Sequence, residues 1–361
     1  MDDLCWQYGD FSIWQREWLK GDEYKSQLSY WKKALQDVPA ILDLPTDRQR
    51  PAIQTYSGTF QLFRLQDDTY RLLKETVKTR GATVFMVLMA VFQSLLHRYT
   101  GNDALLIAVP TANRNVRGVE GLIGFFANTL AIRADLSDRP TFDDLLARVK
   151  ETAISAYMNQ NIPFQKLVEE LQPNRDARYS TFLQVSFMVQ TEVISAFRMP
   201  GLEVQFAHAN EYAVRFDLGF SALDQPGAGL TARLEYNTDL FDTDTIDRML
   251  SHFQVLAHSA LERPGRKLAD LAFLSDAEKH HLTREWSDTE TERGTSGFVP
   301  SLFEGQSSNT PDRIVLAMDG SAITYSKLNR RSNQLACYLR RMGVSTESLI
   351  GVLMDRSIDM V

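Results

Sequence analysis

The sequence predicts a mixed α/β architecture in two parts, the larger with long helices covering a sheet. Three observations predict it. Apolar residues alternate between helical spacing, as in "TVFMVLMAVFQSLLHRYTG", and short strand-length runs, as in "ALLIAVP". Helical and strand segments are interspersed along the chain, a pattern that layers helices on a sheet. A Ser/Thr/Glu/Gly-rich tract then interrupts the pattern before a new periodicity begins at Val299.

The elements follow in order. Trp14, Trp18, Leu28, Trp31 and Leu35 recur at helical spacing and predict an amphipathic helix over residues 11–36. "DVPAILDLPTDRQRP" reads as an extended, proline-punctuated segment. "GTFQLFRLQ" alternates like a strand, and residues 67–79 form a charged amphipathic helix. The next helix is apolar nearly all round, hence buried, and Gly101 stops it. "ALLIAVP" is a strand buried on both faces. After a Gly/Asn/Arg-rich loop at 111–121, "GLIGFFANTLAIR" (Gly121 to Arg133) reads as a buried strand with a polar pair, Asn128 and Thr129, in its middle. "TFDDLLARVKETAISAYMNQ" opens on a Thr cap and acidic first-turn residues, as a helix does. Strands return at 182–189, 202–207, 215–222 and 230–236, and a helix at 242–261 ends at "ERPGRK".

These features divide the chain into residues 1–262, a linker at 263–298 and a second part at 299–361. The second part reads helix, strand, turn at Asp319-Gly320, strand, amphipathic helix and a buried strand at "SLIGVLM". An alternation this short leaves a core of its type unclosed, which marks the opening of a larger domain.

Composition narrows the function. The 361 residues are 44% hydrophobic and 24% charged with a net charge of −7, an ordinary globular balance. An acidic surface with no Lys/Arg stripe argues against nucleic-acid partners. Cys5 and Cys337, at opposite ends, offer neither metal-ligand spacing nor a disulfide framework, which fits a reducing, cytoplasmic setting. "MDDLCWQYGD" has no signal-peptide pattern, and the apolar runs break short of a membrane span.

Four segments carry a more specific signal. "QYGDFSIWQREWL" (Gln7–Leu19), with Asp10 and Trp14, resembles the Tyr-x-Asp-Phe/Tyr-Ala/Ser-x-Trp segment of condensation domains of nonribosomal peptide synthetases. "IGFFANTLAIR", with Gly124, Asn128, Thr129 and Arg133, is similar to their Ile-Gly-x-Phe-x-Asn-Thr-x-x-x-Arg segment. "NQNIPFQKLVEEL", with Gln160, Pro163 and Phe164, resembles Gln-Asp-x-Pro-Phe-Glu, with Asn161 for the acid and Gln165 for Glu. "RDARYSTFLQVSF", with Arg175 and Gln184, resembles the last condensation segment, Arg178 and Thr181 standing where Ser and Pro are often found. Their shared order makes the joint signal strong where each alone is weak. After the linker, Ile323-Thr324-Tyr325-Ser326-Lys327-Leu328 resembles the Leu/Ile-Thr-Tyr-x-x-Leu motif that opens adenylation (AMP-binding) domains, marking Thr324, Tyr325 and Leu328.

The resemblance implies a chloramphenicol acetyltransferase-like fold: the C-terminal lobe of a condensation domain, which pairs with an N-terminal lobe across a channel. The truncated start of an adenylate-forming α/β domain would follow. It implies amide-bond formation between carrier-borne thioesters, beside amino-acid activation. Carrier protein domains bearing phosphopantetheine thioesters and the missing N-terminal lobe are the implied partners, with neither nucleic acid nor membrane. The family's His-His-x-x-x-Asp-Gly motif is absent, so no catalytic residue is assigned. A histidine suits that reaction because its ordinary pKa lies near working pH. His280-His281 is a decoy, since Glu285 and Trp286 hold the Asp-Gly positions. His97, His208, His252 and His258 have no nearby acidic partner in sequence and are expected to be surface or core residues. The ATP-binding loop and lysine of the adenylation family are also absent. The chain itself is thus expected to bind no cofactor, with ATP and Mg belonging to the complete synthetase, and to be inactive alone. A carrier-binding module without catalysis and one half of a split enzyme are the alternatives. A stand-alone acyltransferase of the same fold has no reason to carry the adenylation start. Asp10 and Arg133 are read as a charged pair holding the fold rather than as lining the channel, and Asn128-Thr129 as satisfying buried backbone groups beside the channel rather than as positioning substrate.

Overall fold

The computed structural model describes residues 6–39, 41–171, 178, 183–190, 213–225, 227–288 and 298–361. Two compact units divide between Leu282 and Thr283. Arg175 and the strand expected at 202–207 lie outside the described residues.

The first unit opens with α1 (Tyr8–Trp18) and α2 (Asp22–Ala34), two helices where the periodicity predicts one. The chain breaks at Gly21, whose extended backbone starts α2. Then come β1 (Gly58–Arg64), α3 (Asp67–Arg80), α4 (Val84–Thr100), β2 (Ala104–Thr111), β3 (Asn128–Asp135), α5 (Phe142–Met158) and α6 (Phe164–Leu171). They are followed by β4 (Val185–Gln190), β5 (Leu218–Gln225), β6 (Gly229–Asn237), α7 (Thr243–Glu262) and α8 (Asp276–His280).

The six strands form one sheet in the order β1-β6-β5-β4-β2-β3. β1 pairs antiparallel with β6 and β6 with β5, as does β2 with β3. β4 joins these two groups with parallel pairing on both sides. Its register with β2 holds at the single pair Ala108↔Ser186, whereas the other neighbours pair along their length. The sheet is therefore loosest at its middle.

One face of the sheet is covered by α3, α4, α5 and α7, and the core lies between. The buried helix expected after residue 82 is α4: Thr83 caps its start by accepting from Met86 N, and Gly101 ends it in the left-handed region at φ 70°. Phe187 and Phe220, register partners on β4 and β5, stack with centroids 5.1 Å apart. Phe92 packs on both rings and Phe253 on Phe220. Offset aromatic contact of this kind adds about 0.5–1.5 kcal/mol per pair beyond area burial.

Two expectations change here. "GLIGFF" is not strand: β3 starts only at Asn128, and Ile123 and Phe125 are exposed. Two glycines interrupt this run, and only Leu122 and Phe126 of its large apolar residues reach a core. The stretch after Glu262, read as linker from its polar composition, packs on the first unit as far as Leu282. Leu268 and Leu271 are buried in the main core, and Thr141 bridges Lys267.

The second unit, by itself, holds α9 (Val299–Asn309), a hairpin of β7 (Ile314–Met318) and β8 (Ser321–Thr324), and α10 (Tyr325–Arg341). Asp319 and Gly320 both take positive φ, 49° and 76°, as a two-residue hairpin turn demands. Thr324 caps α10 by accepting from Lys327 N at 3.3 Å. Tyr325 packs on Phe303 with centroids 5.8 Å apart, and Leu328 is half-buried. "SLIGVLM" is not a buried strand: it pairs with no strand of this unit, and Leu349 and Leu353 are fully exposed.

Candidate functional site

The first three condensation-like segments meet. Tyr8 on α1 donates its hydroxyl to the Phe125 carbonyl at 2.9 Å. Its ring fills the space above Gly124, where a Cβ would lie 2.2 Å from the ring. Glycine at 124 is therefore required by this close approach. Phe11, Val119, Leu122 and Phe126 form a second small core beneath, with the Trp14 ring tilted against Phe11 at a centroid distance of 5.5 Å. The Arg114 guanidinium lies 4.3 Å over Phe126 and donates to the carbonyls of Val119 and Leu122.

Asn128 joins the second segment to the third. Its Nδ2 donates to the carbonyls of Gln160 (2.9 Å) and Ile162 (2.7 Å), and its Oδ1 accepts from Phe164 N at 2.9 Å. All the amide's bonds thus go to the turn that starts α6. Thr111, opposite Asn128 in register, donates to Gln160 Oε1 at 3.0 Å. Pro163 accepts from Lys166 N at 2.9 Å in the first turn of α6. Buried Gln184 accepts from Leu42 N and ties the extended segment to the sheet. Asp217 beside it holds Arg50 through two bonds, at 3.1 and 2.6 Å, with both side chains largely buried.

Asp10 and Arg133 do not form the expected pair. Asp10 Oδ2 accepts from Gln7 N at 2.8 Å, closing a capping box at the start of α1. Arg133 Nη1 donates to the Gln36 carbonyl at 3.1 Å. Each charge is taken by backbone close to its own position in the fold.

Strand alternation sends Thr129 to the face opposite Asn128, away from the helices. On that face one register row crosses the sheet: Glu235 on β6, Gly219 on β5, Ser186 on β4 and Ala108 on β2. A pocket of about 130 Å³ sits there, where β2 and β4 part, lined by Pro110, Thr129, Ser186, Met188, Gly219 and Glu235 among others. Glu235 Oε1 lies 2.6 Å from Arg233 Nη2, and Arg233 Nε donates to Ser221 Oγ at 3.0 Å. The hydroxyls of Thr129 and Ser186 have no hydrogen-bond partner among the described residues. The pocket thus brings together an ion pair, two hydroxyls and an apolar rim, with Arg215 also on its wall. Of the described residues singled out from sequence, only Thr129 reaches it. Ser186, Gly219 and Glu235 were missed; each is ordinary in sequence and becomes notable only when register aligns three strands.

The histidines lie elsewhere. His252 on α7 has an acidic partner after all: Nε2 is 2.9 Å from Glu278 Oε2, and Nδ1 is 2.6 Å from the Tyr99 hydroxyl. The partner was not legible because α8 falls in the stretch read as linker. Burial pushes the Tyr99 phenol up to about 12. His97 Nδ1 lies 3.7 Å from Asp103 and His258 Nδ1 3.2 Å from Thr69 Oγ1. His280 and His281 are exposed, and His208 lies outside the described residues.

The sheet with helices on one face, the parted strands and the pocket between them define a class. Residues 2–283 match the family model "Condensation domain", and the chain belongs to that family. Residues 303–361 match the model "AMP-binding enzyme". Among similar proteins, one of the linear gramicidin synthase polypeptides of Brevibacillus parabrevis is 40% identical over 363 residues, 100% of this chain and 7% of that protein. Malpinin synthetase of Mortierella alpina is 36% identical over 355 residues, covering 98% of this chain and 5% of that protein. The chain therefore spans a small fraction of these relatives. The X-domain from teicoplanin biosynthesis superposes with a TM-score of 0.71 at 28% identity, over 76% of this chain and 64% of that one. A four-domain nonribosomal peptide synthetase bound to AMP and glycine matches in fold at TM-score 0.77 and 24% identity, over 90% of this chain and 26% of that one. Among the described residues no single helix is long and apolar enough to cross a membrane.

Proposed function

We propose that this chain is part of a nonribosomal peptide synthetase elongation module. Its first unit supplies one wall of the site where an amide bond forms between carrier-borne aminoacyl or peptidyl thioesters. Residues 303–361 open the neighbouring amino-acid-activating domain. The observation that carries the reading is the pocket at the β2–β4 parting, on the face without helices, reached by Thr129 of the condensation-like segment. A thioester on a long, narrow pantetheine arm needs a cleft between elements, and strands that pair at one point only provide it. Proton transfer from the attacking amine falls to a base outside these residues, since no histidine of the described chain lines the pocket. Clasping of the first three segments by Tyr8, Gly124 and Asn128 supports the wall from behind.

The test is titration of the 361-residue chain with pantetheine while amide chemical shifts are followed. Saturable shifts centred on Thr129, Ser186 and Gly219 are expected. Shifts confined to other surfaces, or none at millimolar pantetheine, contradict the reading.

A further inference from the structure

A second cavity, of about 210 Å³, lies between the start of α1 and the loop at 116–122. It shares no lining residue with the pocket at the β2–β4 parting. Its floor is apolar, because Phe11 and Leu122 belong to the small core described above. Trp6 and Trp14 stand at its sides, both exposed. Rigid indoles over an apolar floor suit a ring or a branched aliphatic chain. Two opposite charges line the same cavity. Asp10 Oδ2 accepts from Gln7 N at 2.8 Å, and its other oxygen has no hydrogen-bond partner among the described residues. Arg117 makes no hydrogen bond or ion pair among those residues. The acid three residues on, Glu120, accepts from Gly118 N at 2.8 Å instead. Its carboxyl is held below the ordinary range by the backbone N–H groups of Glu120 and Gly118, and to a smaller degree by the Arg117 charge. The Arg117 guanidinium therefore keeps its fork of donors for a ligand, and that fork matches a carboxylate.

We infer that this cavity binds a free α-amino acid with an apolar side chain, its ammonium on Asp10, its carboxylate on Arg117 and its side chain between Trp6 and Trp14. The inference stands apart from the amide-forming role proposed above. A ligand with one charge would satisfy one of the two residues and leave the other facing an apolar body. A zwitterion satisfies both. An aminoacyl thioester does not fit this mode, because its carboxyl group is consumed in the thioester and offers Arg117 no anion.

Four probes test it by calorimetry on the full chain: L-phenylalanine, its amide, which lacks the carboxylate, 3-phenylpropionate, which lacks the ammonium, and glycine, which lacks the side chain. The titrations are run at about pH 6.5, below the α-amino range and above the α-carboxyl range. Phenylalanine is expected to bind saturably, and the amide and 3-phenylpropionate each about tenfold more weakly, the scale of one charged hydrogen bond. Glycine should give no measurable heat. Arg117→Gln should erase the preference for phenylalanine over its amide. Asp10→Asn should erase the preference over 3-phenylpropionate. Asparagine still offers Gln7 N an acceptor, so α1 keeps its cap and the variant stays folded. Trp6→Leu, at an exposed side chain, should weaken phenylalanine, its amide and 3-phenylpropionate together. Three results overturn the inference: no saturation by phenylalanine at millimolar concentration, equal binding of phenylalanine and the two singly charged probes, or preferences that persist in both charge variants.

Discussion

Asn128 shows how one side chain organises a region. Its amide spends three bonds on backbone groups of residues 160–164, one of them fully buried and two half-buried. Asn128→Ala would leave two carbonyls and one N–H unpaired. A loss of about 2–4 kcal/mol is expected, because an unsatisfied buried group costs more than the hydrogen bond returned. Urea unfolding of the variant checks it; an unchanged midpoint would show that water replaces the amide at no cost. The sequence marks Asn128 as a buried amide that must be satisfied, yet its partners lie more than thirty residues away and no spacing rule reaches them. Gly124 is similar. Its need for glycine comes from the Tyr8 ring, which belongs to another segment of the chain.

At the scale of elements, local signals are the ones that hold. The cap at Thr141, read from sequence, holds with its hydroxyl on a backbone N–H of the first turn, because a cap is decided within four residues; Thr83 and Thr324 cap α4 and α10 in the same way, though neither was marked as a cap from sequence. The misreadings at "GLIGFF" and "SLIGVLM" have one cause: an apolar run specifies burial only if a partner surface exists. The segment after Glu262 errs the other way, since a few leucines anchor a stretch whose composition is polar. There α8 docks through Glu278 on His252, and His252 on Tyr99. Burial raises the Tyr99 pKa from 10.0 to about 12. The folded state thus favours the neutral phenol, a contribution complete below pH 10 and lost as pH rises through about 12. The urea midpoint of the native chain should accordingly fall over that window, and Tyr99→Phe should lack that part of the fall. Identical alkaline profiles would place the loss in other groups.

At the scale of the molecule, one sheet performs two tasks. Its covered face is a close-packed aromatic and aliphatic core, built on the Phe187–Phe220 stack. Its other face carries the row from Glu235 to Ala108 and the pocket where β2 and β4 part. The described condensation-like segments lie mostly behind this face, Thr129 being the one of their marked residues that lines the pocket, so they point to the family better than to the pocket. The central claim is that this face is one wall of an amide-forming site whose base comes from a second polypeptide region. The direct measurement mixes the 361-residue chain with a polypeptide carrying the His-His-x-x-x-Asp-Gly motif and two aminoacyl-loaded carrier proteins, then follows the dipeptidyl thioester by mass spectrometry. Product is expected only when both polypeptides are present. Product from this chain alone, or none from the pair when both are folded and bind pantetheine, would contradict the account.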